Sequence, residues 1–211
     1  HIATNAHQQT SVNNFAKESQ HDNIYCFGSV YPFAENAVEE IHRDKEMGLY
    51  GLKLHPDYQE FFIGDEAAMP IYAEAEKLGM VLAFHTGRDP YSPNLVHCPP
   101  DVLGKIADLF PKLTIIAAHM GGMDMPQEAA KHLAGKKNVY FDTAFASHFL
   151  NPKEFEELVH LHGTDKVLFA TDCPWSTLPA EKALLDAAGL TGSEREQIAY
   201  KNAEKLFGIT V

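Results

Sequence analysis

Six short apolar runs recur along the chain, at residues 24–30, 49–54, 80–84, 113–118, 138–142 and 167–171, and successive runs begin 25 to 33 residues apart. Each is rich in β-branched and aromatic residues and too short for an ordinary helix, so each reads as a strand. Amphipathic stretches lie between and after them, at 35–47, 66–78, 100–110, 126–133, 152–162, 179–188 and 193–207, several with a proline near the first turn. The spacing leaves room for one strand, a loop and a helix, which is the repeat of a parallel β/α protein.

Two architectures satisfy that repeat. A doubly wound open sheet needs only six strands and suits a chain of 211 residues; a closed barrel needs eight strands and typically about 250 residues. The carboxyl ends of the runs argue for closure. Lys53 and His55, His85, His119, Asp142 and Asp172 end five of the six. An open sheet uses two or three strand ends at one crevice, whereas a barrel aims all of them at one centre. The expected fold is therefore α/β, a single (β/α)8 TIM-barrel domain over residues 1–211 that lacks strand 1 and most of strand 2, with further residues expected upstream of His1.

Seventeen basic residues against 29 acidic ones give a net charge of -12. No basic face is available to neutralise phosphates, so the expected partner is a small-molecule substrate, with no nucleic acid and no anionic membrane surface. Cys26, Cys98 and Cys173 are odd in number and unpatterned, which points to a reducing compartment, the cytoplasm by default. No apolar run reaches the roughly 20 residues of a membrane-spanning helix.

Twelve histidines are present. His7, His21, His42, His132, His160 and His162 lie in polar or helical stretches and read as surface or satisfied core residues. His55, His85 and His119 each close an apolar run. In GLKLHP (51–56), Lys53 and His55 share one face of the strand and are expected to look into the barrel mouth. MVLAFHTG (80–87) ends an apolar strand in His85, whose imidazole suits a metal. TIIAAHMGG (114–122) carries His119 to the rim, where two glycines admit a close ligand. VLFATDCPW (167–175) ends in Asp172, a carboxylate whose desolvation a cation or a proton would offset. Cys173 is a weaker nucleophile candidate, with no histidine near it in sequence.

The order KLHP, FHTG, AHMGG, FDTA, ATDCPW resembles the amidohydrolase superfamily, in particular the amidohydrolase-related group that includes aminocarboxymuconate semialdehyde decarboxylase. The resemblance implies a distorted (β/α)8 barrel, a homodimer, and one divalent metal, usually zinc, held by a His-x-His pair on strand one, His85 and Asp172. It implies that His119 polarises the reacting group, that Asp172 accepts the proton of a metal-bound water, and that Lys53 and His55 bind an acidic or carbonyl group of the substrate. The chain contains no His-x-His pair. It is therefore expected to be an incomplete barrel that holds metal weakly or not at all. Binuclear relatives bridge two metals with a carboxylated lysine, a scheme that Lys53, His85, His119 and Asp172 would also fit. The implied activity is hydrolysis of an ester, lactone or amide of a small acid. Non-oxidative decarboxylation of an aromatic or unsaturated acid is the alternative, and a catalytically silent barrel that binds a ligand or partner is the reading from another class.

Overall fold

The computed structural model describes residues 1–210. Five parallel strands, β1 (Gly51–Leu54), β2 (Val81–Phe84), β3 (Ile115–Ala117), β4 (Val139–Asp142) and β5 (Val167–Leu168), form one sheet in chain order. The helices are α1 (Gln9–Ser19), α2 (Ala37–Glu46), α3 (Pro56–Gln59), α4 (Met69–Leu78), α5 (Pro100–Leu109), α6 (Pro126–His132), α7 (Pro152–His162), α8 (Leu178–Ala187), α9 (Gly192–Glu196) and α10 (Asn202–Phe207). From α3 to α8 every one has a proline in its first two positions, where the missing donor would have been unpaired anyway. This is the parallel β/α arrangement of a TIM-type barrel, with the sheet order advancing one strand at a time.

Alternation along the strands sorts their side chains into two cores. Leu52, Leu54, Leu82, Phe84, Ile115, Ala117, Val139, Phe141 and Val167 pack outward beneath the helices. Val81, Ala83, Ile116, Tyr140 and Leu168 form the inner face, against Phe27 and the Ala203, Leu206 and Phe207 side chains of α10. Lys53 is level with Ala83, which is level with Ile116, which is level with Tyr140. The period of two therefore sets Lys53 on the inner row, and continues it to Asp142 at the end of β4 and, past the ends of β1 and β2, to His55 and His85.

Two expectations are corrected. The run at 24–30 is not a full strand: it makes a single parallel bridge, Gly28 to Leu52. Its outer edge is taken by amide side chains instead of a strand, since Ser29 N donates to Asn13 Oδ1 at 2.8 Å, Tyr31 N to Gln9 Oε1 at 2.7 Å, and Gln59 Nε2 to Val30 O at 2.8 Å. Those bonds satisfy the buried edge without forming a ladder. The helix expected at 193–207 is interrupted by a wide π turn at Gln197–Lys201. There the Ile198 carbonyl accepts from Phe169 N, just beyond β5, at 3.0 Å. Among the described residues no helix is long and apolar enough to cross a membrane, and the three cysteines are free thiols.

Candidate metal centre and its cavity

At the carboxyl ends of the strands lies a cavity of about 440 Å³, lined by Lys53, His55, His85, His119 and Asp172 together with Tyr58, Asp89, Tyr91, Phe145 and Trp175 among others. All five residues singled out from the sequence thus face one space. Glycine brings two of them together. Gly87 has φ +94 and lies so close to the 119–123 turn that a Cβ there would sit 2.3 Å from Met123 N, so only glycine fits. Met123 N donates to Thr86 O at 2.8 Å and Arg88 N to Met123 O at 3.0 Å. This clasp holds the β2 and β3 loops in contact and sets His119 Nε2 2.9 Å from His85 Nδ1.

The turn carrying His119 is strained. His119 and Met120 have φ of 60 and 53, and Asp172 has φ 61, a left-handed region that non-glycine residues occupy at a cost of about 1 kcal/mol or more. Asp142 compensates at the first site, its Oδ1 accepting from His119 N at 2.9 Å and from Ala144 N at 3.1 Å.

His55 and His85 stack nearly parallel, with centroids 4.4 Å apart. The Nε2 atoms of both point at Asp89 Oδ2, at 3.6 Å for His55 and 3.4 Å for His85. All three residues are buried, and their candidate ligand atoms lie within 4.8 Å of one another. Two atoms each about 2.1 Å from a tetrahedral ion would lie roughly 3.4 Å apart, so the separations suit a divalent cation. Asp89 is fixed for this by its other oxygen, Oδ1, which accepts from Tyr91 N at 2.6 Å. Among the described residues this is the group with ligand spacing, and neither His119 nor Asp172 belongs to it.

The hydrogen-bond inventory of the rings is compatible with a cation at the same place. His119 Nδ1 faces Ala144 O at 2.9 Å and His85 Nε2 faces Arg88 O at 3.0 Å. Carbonyls only accept, so two neutral rings that each donated to one would leave two lone pairs facing across the 2.9 Å gap. A cation at His85 Nε2 would remove the conflict, as would a proton added to one ring. With the cation there, His85 Nδ1 would donate to His119 Nε2 and His119 Nδ1 to Ala144 O, which would commit both ring nitrogens of His119 and leave that ring to orient His85.

Burial pushes the His55 imidazole down to about 3, helped by the nearby Lys53 charge, and pushes His85 well below its ordinary value, with His119 and His55 adding to the effect. Neutral rings are the ligand form. Burial also lowers the half-buried Lys53 ammonium, against the opposing pull of Asp142 and Asp172. Asp172 is open to the cavity, yet lost hydration raises its carboxyl above the ordinary value while His119 and Lys53 pull the other way.

Asp89 is the residue that sequence reasoning missed. It follows His85 by four positions, in a stretch that reads as a polar loop; its proximity to the strand-end histidine was the available signal. Of the other loop residues, Trp175 lines the cavity, whereas His97 is buried behind it against Asp57, at 2.8 Å. His162 is a satisfied core histidine, stacked on Phe141 and bonded to Val139 O at 3.2 Å.

Comparison with known proteins places this geometry in context. The family model described as amidohydrolase matches residues 2–209. Among solved structures, 5-carboxyvanillate decarboxylase from Sphingomonas paucimobilis superposes with a TM-score of 0.76 at 18% identity, over 97% of this chain and 73% of that one. The 2,6-dihydroxybenzoate decarboxylase from Rhizobium gives 0.73 at 18%, over 95% and 76%. A dihydroxybenzoic acid decarboxylase from Polaromonas, with bound manganese and the inhibitor 2-nitroresorcinol, gives 0.72 at 17%, over 96% and 75%.

Proposed function

Because the chain belongs to the amidohydrolase family of enzymes, we propose that it is a metal-dependent carboxy-lyase that removes carbon dioxide from a small hydroxylated aromatic acid. The observation that carries the reading is the make-up of the cavity. Tyr58, Tyr91, Phe145 and Trp175 supply flat walls around Lys53 and Asp172, which suits a planar ring bearing an acidic group. The fold likeness to decarboxylases of such acids points the same way.

In this reading His55, His85 and Asp89 hold the divalent ion, which when bound supplies an electrophilic centre for a substrate oxygen. His119 keeps His85 in the ligating tautomer. Lys53 binds the substrate's acidic group. Asp172, whose carboxyl keeps its proton to higher pH than usual, gives that proton to the ring carbon bearing the carboxylate. The carbon–carbon bond then breaks, its electron pair restores the aromatic ring, and carbon dioxide leaves. Water returns a proton to Asp172.

A second reading, hydrolysis of a carbonyl compound, draws on the exposure of Asp172 to the cavity, where it could accept a proton from water. The two part on products. The protein supplied with manganese or zinc and 2,6-dihydroxybenzoate is expected to release carbon dioxide, and Asp172→Asn to slow it by about 10²- to 10⁴-fold while retaining metal in equilibrium dialysis. Cleavage of an ester panel with no carbon dioxide from aromatic acids would sink the proposal. Loss of metal from Asp172→Asn as complete as from His85→Ala would make Asp172 a ligand and not the proton donor.

A further inference from the structure

The wall of the cavity formed by Phe145 and by the segment from Asp172 to Trp175 comes from two separate loops, one after β4 and one after β5. Phe145 (φ 61) and Asp172 (φ 61) both stand in the left-handed region, so neither loop holds its shape by backbone preference alone. Thr143 Oγ1 joins them next to the strand ends, donating to Ala170 O at 2.9 Å and accepting from Ala170 N at 2.8 Å, and one buried side chain from outside both loops reaches each of them. Glu181, in the first turn of α8 and 1% exposed, accepts from Ser147 N at 3.0 Å through Oε2, and from Ser147 Oγ at 2.7 Å and Ser176 Oγ at 2.5 Å through Oε1. Ser147 lies two residues past Phe145, and Ser176 follows Trp175. The helix anchors this bracket, since Thr177 caps it through Ala180 N and Leu184 and Leu185 bury its inner face.

We propose that Glu181 is a positioning residue that fixes the Phe145 and Trp175 loops relative to one another, and so sets the width of the slot into which a flat substrate enters. The proposal rests on the carboxy-lyase reading for its purpose but not for its test, which needs neither metal nor substrate. Trp175 is the sole tryptophan of the chain, and its fluorescence anisotropy reports directly on one of the two loops.

In Glu181→Ala the limiting anisotropy of Trp175 should fall by about a third, the difference between a rigid and a mobile segment, with unchanged far-ultraviolet dichroism. Glu181→Gln, which keeps the Oε1 acceptor for Ser176, should restore most of it. Ser176→Ala should loosen Trp175 whereas Ser147→Ala should not, because Ser147 serves the other loop; a general loss of packing would not respect that division. Unchanged anisotropy in folded Glu181→Ala, or equal effects of the two serine variants, overturns the proposal. Should Glu181→Ala fail to fold, the serine pair decides alone. Failure of dihydroxybenzoate to bind the wild type would count against the carboxy-lyase reading and is a separate result.

Discussion

On the β1–β2 side of the cavity Asp57 is buried against His97, its Oδ1 2.8 Å from Nδ1, and also takes the Ser92 hydroxyl, while its Oδ2 has no hydrogen-bond partner. On the β4–β5 side the corresponding carboxyl, Glu181, meets one backbone N–H and two hydroxyls and is satisfied at both oxygens. The first bracket holds the loop that carries Asp89 and Tyr91 to α3; the second joins the loops of Phe145 and Trp175. One wall is thus assembled from histidines and acids and is suited to holding a cation. The other is assembled from strained backbone and from the neutral donors that meet Glu181, with Asp172 facing the cavity, and is suited to holding a shape. In the proposed reading, holding the cation and shaping the slot fall to opposite sides of the same strand ends.

The largest test of that division is Asp57→Ala. It leaves the His97 ring and the Ser92 hydroxyl without their acceptor and opens a void, so a loss of roughly 2–4 kcal/mol is expected from the urea midpoint. Because Asp89 rides on the loop so released, metal affinity should fall as well. Glu181→Ala should cost less stability, about 1–3 kcal/mol, and leave metal affinity as it was. Equal effects of the two variants on metal binding would erase the distinction between the walls.

Acid is the next probe, and it acts on the first wall. The folded-state pKa of His55 is depressed to about 3 by burial, below the unfolded value of about 6.5. Below pH 6.5 the unfolded chain takes up a proton that the folded ring refuses, so stability present above that pH is lost as the pH falls toward 3. Between pH 6.5 and 5 the loss from this ring alone approaches about 2 kcal/mol, and the lowered value of His85 steepens the slope. Denaturant melts of chelator-treated protein should show the decline. His55→Gln should make it shallower, and an unaltered slope in that variant would remove His55 from the account.

The sequence was most legible where physics is local. Five of the six apolar runs are strands or lead directly into them, because a β-branched run ended by a polar residue needs no distant partner to be recognised. Lys53, His55 and His85 were readable for the same reason: the period of two points them inward wherever the sheet curves. Run 24–30 failed because what lies on its outer edge is decided by the amides of Gln9, Asn13 and Gln59, not by its own composition. Asp89 was hidden because the clasp of Gly87 on Met123, 36 residues away in the chain, decides where its loop turns back. Glu181 looked like one more polar position on an amphipathic helix, and only the fold turns it inward.

The smallest expected effect separates the walls most cleanly. Tyr58 lies flat on His55, with centroids 3.7 Å apart and planes 4° from parallel, and His55 lies flat on His85. The tyrosine is therefore the outer leaf of a three-ring stack whose inner two rings are the proposed ligands. An aromatic pair of this kind is worth about 0.5–1.5 kcal/mol. If the stack serves to hold the imidazoles in the ligating orientation, Tyr58→Leu should weaken metal binding by about 2- to 10-fold, read by competition with a chelating dye. Trp175 belongs to the other wall. It is 67% exposed at the rim, so Trp175→Leu should leave the metal constant alone and weaken only the binding of an aromatic acid. A metal constant that moves as much for Trp175→Leu as for Tyr58→Leu would mean that the cavity responds as one body, and that the cation site is not the property of one side.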